Sequence, residues 1–519
     1  MGKSGGGLSL PRGTKGDSGP ISAMQVILKS TSALMLIPAP LKLFLALLLI
    51  SLVASVGARF AVLQGFISGA NLAHGFFVPD AVTFHELASE KAREIRKEGW
   101  GAWQLRPNGQ FAAGMASILY VFTGATPWAV LGLNACLHAC AGCLLFMILR
   151  RIFPFFPAMA GCLLFTVHPA TLEWTANLHR DGIFILGNFL FLLGLLGLYE
   201  QLQGKTRMAW FGTLGLLNLG FLLVWFSRSY FTEVLLAVFV VFSLSLPLCR
   251  LRRSGRSYLD AAEAIGIFVG VAVFNTVLVW CFLGWGQKNV QHHELYKELK
   301  PAPFRNVQHH ELYKELKPAP LISSNPPFAV TEPWIRTPFL PEWVDQKLFS
   351  LAQCRNGSLS GGGNSLVDTQ RQIRSFLDLL LFFPRAAQIG LFSPLPSLWG
   401  GEGSNPAYGV GRRLMSWLAP LQWFLLAGWV LVIWRQGRKV EIWLVLVFAL
   451  LSITVLAYAF ANIGTLLRIR YGYFSLLMCC GLAGWVEAFQ KMIGGRVMKA
   501  GARYPEAFSL SLKKKGKQP

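Results

Sequence analysis

Charge is scarce in this chain. Only 14% of its 519 residues are Asp, Glu, Lys or Arg, against roughly 25% in an ordinary soluble domain, and that shortage excludes a soluble enzyme. Acids are the rarest: 25 Asp and Glu stand against 48 Lys and Arg, a net charge of +23. In a soluble protein that excess would suggest nucleic acid. In a chain that is 53% hydrophobic it marks cytoplasmic loops facing anionic lipid, so membrane lipids and no nucleic acid are the expected partners. Cysteine is also sparse, with nine too scattered for a disulfide scaffold. Cys136, Cys140 and Cys143, with His138, share one helix face by their spacing, but in an apolar run small residues there serve close helix packing.

What the chain has instead is long apolar runs. A bilayer crossing needs roughly 20 residues, and runs occur at about Leu41–Val56, Trp128–Leu149, Phe153–Val167, Ile183–Leu198 and Met208–Phe226. Five more follow, at Tyr230–Leu248, Ala264–Leu283, Leu414–Trp434, Ile442–Tyr458 and Tyr473–Ala488. Phe111–Thr123 and Phe376–Leu391 are shorter or interrupted by Pro384-Arg385 and are placed along the interface. With the N-terminus inside, Arg150-Arg151, Lys205 with Arg207, Arg250 to Arg256, Arg435 to Lys439 and Lys513 to Lys515 all fall on the cytoplasmic side. Counting Phe111–Thr123 as a span would reverse them.

The expected fold is therefore an all-α polytopic membrane protein of about ten transmembrane helices, with interfacial helices and two large extracytoplasmic loops. A disordered basic N-terminus (1–40) precedes spans one to seven (41–285), which include the first outer loop (58–126). The second outer loop (286–413), spans eight to ten (414–489) and a basic cytoplasmic tail (490–519) follow. The second loop holds a tandem repeat, NVQHHELYKELKPAP, at Asn289–Pro303 and Asn306–Pro320. Two copies are too few for a solenoid, and the adjacent histidines His292-His293 and His309-His310 point in different directions on a helix, which makes no tetrahedral metal set.

Ionisable residues at the outer ends of spans are costly, so they locate the chemistry. Asp80 opens an amphipathic helix that also carries His85 and Glu86, and its bland role is as the helix cap. His179, Arg180 and Asp181 lie just before the fourth span, where Asp181 suits a helix N-terminus. Arg228 sits in the tight connection between the fifth and sixth spans, with no acid nearby before Glu233. Arg468, Arg470 and Tyr471 stand at the outer end of the last span, against the positive-inside bias. Arginine's planar fork suits phosphate oxygens, so this set reads as an anion site beside a carboxylate, fitted to phosphate on a lipid carrier.

In this layout the chain resembles the C-type polytopic glycosyltransferases that use polyprenyl-phosphate sugars, among them protein mannosyltransferases and aminoarabinose transferases. The resemblance rests on the acidic motif at Asp80 after the first span and on the second span's paired Arg150-Arg151. It rests further on Asp181, Arg228 and the late Arg468-Ile469-Arg470-Tyr471. It implies transfer of a sugar from a polyprenyl-phosphate donor to a hydroxyl of a glycan, lipid or protein acceptor, outside the cytoplasm in a bacterial inner or plasma membrane. Asp80 would be the general base, with Glu86 or Asp181 assisting. Arg468, Arg470 and Arg228 would stabilise the departing phosphate, and His85, His179, Arg180 and Tyr471 complete the expected substrate contacts. A divalent metal is compatible with this chemistry, but no ligand set in the sequence requires one. A flippase using the same arginines, or a polysaccharide polymerase or ligase, is the alternative. The lack of two related halves and the gathering of charge at one face favour the enzyme over a transporter.

Overall fold

The computed structural model of the protein describes residues 39–66, 75–76, 78–203, 210–242, 266, 270, 334–360, 365–399 and 406–503. The tandem repeat, the seventh expected span apart from residues 266 and 270, and residues 1–38 and 504–519 lie outside them. The described chain is all-helical, with two isolated β-bridges and no strand among the described residues. Its main helices are α1 (Ala39–Leu63), α2 (Pro79–Glu98), α3 (Phe111–Thr123), α4 (Trp128–Ile152), α5 (Phe155–Val167), α6 (Asp181–Leu202) and α7 (Trp210–Ser227). They continue as α8 (Ser229–Phe242), α9 (Glu342–Ser360), α10 (Phe376–Phe392), α11 (Pro406–Gln436), α12 (Val440–Ala459) and α13 (Ile463–Arg503).

Among the described residues, seven helices are long and apolar enough to cross a membrane: α1, α4, α6, α7, α12, the Arg412–Gln436 part of α11 and the Ile463–Ile493 part of α13. Each coincides with a run read from the sequence. The third and sixth expected spans fall on the shorter apolar helices α5 and α8. The last helix differs most, because it begins at Ile463, ten residues before the expected start, and so draws Arg468 and Arg470 into its first eight residues.

Burial orders the bundle. In α6, 89% of the apolar window is buried, and this helix, apolar all round, is central; α1, with 17%, turns most of its surface outward to lipid. Hydrophobic burial does not drive helices together inside a bilayer, so close backbone approach must do the work. Glycine permits it. A methyl group added at Gly481 of α13 would lie 1.9 Å from the Leu425 carbonyl oxygen of α11, and one at Gly220 of α7 would lie 2.5 Å from the Phe191 amide nitrogen of α6.

At one end of the bundle α2 and α3 form a separate layer. Ala81, Ala88 and Ala92 of α2 pack with Ala112, Ala113, Ala116 and Tyr120 of α3, a ridge of small side chains that brings the two helices close. Both helices expected within the segment 58–126, the amphipathic one opened by Asp80 and Phe111–Thr123, are present. On the same end, the Val367 amide donates to Ala461 O at 3.1 Å and the Ile463 amide to Ser365 O at 2.9 Å, anchoring the α9–α10 region to the turn before α13. Ser375 caps α10, accepting from the Asp378 amide at 3.1 Å. Leu377, Leu380, Leu381 and Phe383 on α10 remain exposed.

Candidate functional site

Four segments far apart in sequence bring their charges together where α2, α6, α13 and the α7–α8 turn meet. Asp181, the first residue of α6, is buried, and its two carboxylate oxygens face different partners. Arg228 donates from Nη2 to Oδ1, and His179 Nδ1 lies 2.6 Å from Oδ2. Arg468 Nε approaches the same Oδ2 at 4.0 Å, while its Nη1 donates to Asp80 Oδ2 at 2.9 Å. Arg468 therefore bridges a buried carboxylate and one whose side chain is 47% exposed.

Local structure explains each position. Arg228 is the single residue between α7 and α8, so its side chain cannot leave the helix ends; it stacks over the Phe184 ring at 5.3 Å and donates to the Tyr230 hydroxyl at 2.9 Å. Burial works against its charge, but Asp181 and Tyr230 outweigh that and hold its pKa above the ordinary arginine value. Arg180 sits at the N-cap position of α6, and its buried Nε has no hydrogen-bond partner. Burial, helped by Arg228 and Arg468 nearby, lowers its pKa despite Tyr230 and Asp181. Three arginines thus face two carboxylates, and Arg180 makes no ion pair among the described residues. Such an excess positive charge in a half-buried setting is a place for an anion.

The bland alternative for Asp80 was a helix cap. Val78 occupies the cap position instead, with no side-chain cap bond, and Asp80 lies in the first turn, where a carboxylate is favoured by the helix dipole and is free to meet Arg468. Phe84, one turn further on, places its ring edge-on to His179, 6.1 Å between centroids, and seats α2 on the cluster.

Of the residues expected from the sequence, Asp80, His179, Arg180, Asp181, Arg228 and Arg468 come together. The other four do not. Arg470 is two residues beyond Arg468, about 200° around the helix, and donates to the carbonyls of Ile389, Gly390 and Ser393 at the end of α10. Its guanidinium lies over Phe474 at 4.3 Å, which makes it a tether between helices. Tyr471 is buried against Trp174, with centroids 4.4 Å apart, and beside His168. His85 is buried between Phe76 and Tyr120, its Nδ1 2.7 Å from the Tyr120 hydroxyl. Glu86 is exposed and, six residues from Asp80, stands about 240° around α2 from it.

The sequence reading missed Tyr230 and Phe84. Both had a signal in their spacing: Tyr230 follows Arg228 by two residues in a tight turn, and Phe84 is one helical turn from Asp80. Among the described residues, no three His, Cys, Asp or Glu side chains gather in a way that could hold a metal ion. No family model matches the chain, and neither does any curated protein or solved structure.

Proposed function

We propose that this chain is a membrane glycosyltransferase that moves a sugar from a polyprenyl phosphate to an acceptor hydroxyl on the extracytoplasmic side. The proposal includes about ten spans, with both termini in the cytoplasm. The observation that carries it is Arg468 shared between Asp80 and Asp181 beside an Arg180 that has no acid of its own. Cations placed around an anion's position, next to a half-exposed carboxylate, are what displacement of a lipid phosphate by a hydroxyl needs.

In this reading the donor phosphate lies against Arg180 and Arg468. The acceptor hydroxyl oxygen attacks the sugar C1, the bond from C1 to the phosphate oxygen breaks, and its electron pair leaves with the lipid phosphate. The hydroxyl proton passes to the Asp80 carboxylate. Asp181, closed off from solvent by Arg228 and His179, is a positioning residue that keeps two arginines aimed into the site. Glu86, exposed on another face of α2, takes no part.

The test is to incubate purified protein with a panel of polyprenyl-phosphate sugars and follow lipid-phosphate release. Release with one donor, lost in Asp80→Asn while donor binding persists, supports the reading. Donor binding without release from any sugar, in wild type and variant alike, overturns it in favour of transport.

A further inference from the structure

The opposite end of the bundle carries a second concentration of positive charge. Asp181 and Glu200 are 19 residues apart on α6, about 28 Å along its axis, and Arg151 Nη1 lies 3.3 Å from Glu200. Here a cavity of about 390 Å³ is lined by Arg150, Arg151, Gln436, Lys439, Glu487 and Lys491, drawn from α4, the α11–α12 turn and α13. That volume falls within the range of small-ligand sites.

Not all of this charge is free to meet a ligand. Arg151 is answered by Glu200 and by nearby Glu441, and Glu487 accepts from Lys491 at 2.7 Å and from Gln436. Arg150 and Lys439 are different. Arg150 Nη1 donates to Phe153 O at 2.8 Å, and Lys439 Nζ donates to Ile152 O and to Gln436 Oε1, both at 2.8 Å. Neither has a carboxylate partner among the described residues, and each keeps further donors. Immediately past Pro154, which also lines the cavity, Phe155 is 49% and Phe156 is 70% exposed. Aromatic surface left open on the flank of a membrane bundle faces acyl chains.

We propose that this cavity binds the phosphate of an anionic lipid, with Arg150 and Lys439 on the phosphate oxygens and the acyl chains against Phe155 and Phe156. A phosphate group is the shared chemistry of a lipid headgroup and of the free ion, and the flanking aromatics select the lipid.

Native mass spectrometry of the purified full chain tests this with phosphatidylglycerol, with phosphatidylcholine of the same chains, and with inorganic phosphate. Phosphatidylglycerol should be retained about tenfold better than phosphatidylcholine, and Arg150→Gln with Lys439→Gln should remove that preference. Arg435→Gln, at the same end but outside the cavity, should leave it intact. Equal retention of the two lipids, an unchanged preference in the double variant, or phosphate adducts without lipid selectivity would each overturn the proposal. Arg150 and Lys439 also satisfy the last carbonyls of α4, so thermal unfolding is followed alongside. If the double variant does not fold, Lys491→Gln replaces it: this side chain is 61% exposed, and its loss leaves Glu487 facing the cavity. Weakened phosphatidylglycerol retention then supports the proposal, and unchanged retention overturns it.

Discussion

The two ends of the bundle hold their cations differently. At the Asp181 end, arginines are buried or half-buried and meet acids that are 47 and 388 residues away in sequence. At the other end, Arg150 and Lys491 find partners three and four residues away, while Arg151 and Lys439 reach Glu200 and the Ile152 carbonyl from distant segments. Local pairs form almost wherever a helix end meets water, whereas a buried long-range pair exists only if the whole fold positions it. What separates the two ends is enclosure: the Arg228–Asp181 pair is shut off from water, whereas Arg151 and Glu200 are both partly exposed.

The largest effect should come from breaking the buried pair. Arg228→Ala leaves Asp181 enclosed with one fewer counter-charge, and removing one partner of a buried pair typically costs about 3–5 kcal/mol. Thermal unfolding in detergent should show a large drop, and wild-type stability would erase the contrast between the ends. Asp80→Asn should act on chemistry alone. With its side chain 47% exposed, the variant should fold normally, bind donor and lose roughly 100-fold or more in turnover.

Next comes a comparison within a single turn of α13. Arg468→Ala should weaken donor binding by about tenfold or more with little change in unfolding temperature, through loss of a contact typically worth about 1.5–3 kcal/mol. Arg470→Ala should do the reverse, lowering stability because three carbonyl contacts to α10 vanish. Identical phenotypes would sink the division of labour between these two arginines.

A smaller effect concerns pH. Burial pushes the His168 imidazole down to about 4, below its ordinary 6.5, so the unfolded chain takes up a proton first as pH falls. His168 therefore costs stability progressively between about pH 6.5 and 4, and the loss levels off below that. His168→Asn keeps an acceptor for the Ala170 amide and should flatten unfolding temperature across that window. The smallest expected effect is at the Lys347–Glu233 pair, whose side chains are 61% and 60% exposed. Lys347→Ala should leave unfolding unchanged within error.

Much of the site was legible because charge beside apolar runs is costly in a membrane. That reasoning picked out Asp80, Asp181, Arg228 and Arg468 without any knowledge of which meets which. It failed for Arg470 because the start of α13 was placed too late: with Arg468 and Arg470 in an irregular segment both can face a ligand, and on a helix they cannot. His85 was misplaced for another reason, since its partner Tyr120 arrives from α3, 35 residues on. The apolar runs located most crossing helices and also α3, whose bounds Phe111–Thr123 are those of the short apolar stretch, while α2 was legible from its amphipathic pattern; that alanines would pack the two together was not.

One unbroken helix, α13, carries Arg468 near its start and Glu487 nineteen residues later, about 28 Å along the axis. That separation is close to the thickness of a bilayer's hydrocarbon, roughly 30 Å. This stretch of the helix is thus a ruler between two charged marks. In a thinner bilayer it must tilt, and in a thicker one a mark is drawn into hydrocarbon unless the lipid thins around it. Acyl-chain length alone, with headgroups held constant, should therefore change how Arg468 stands relative to Asp80.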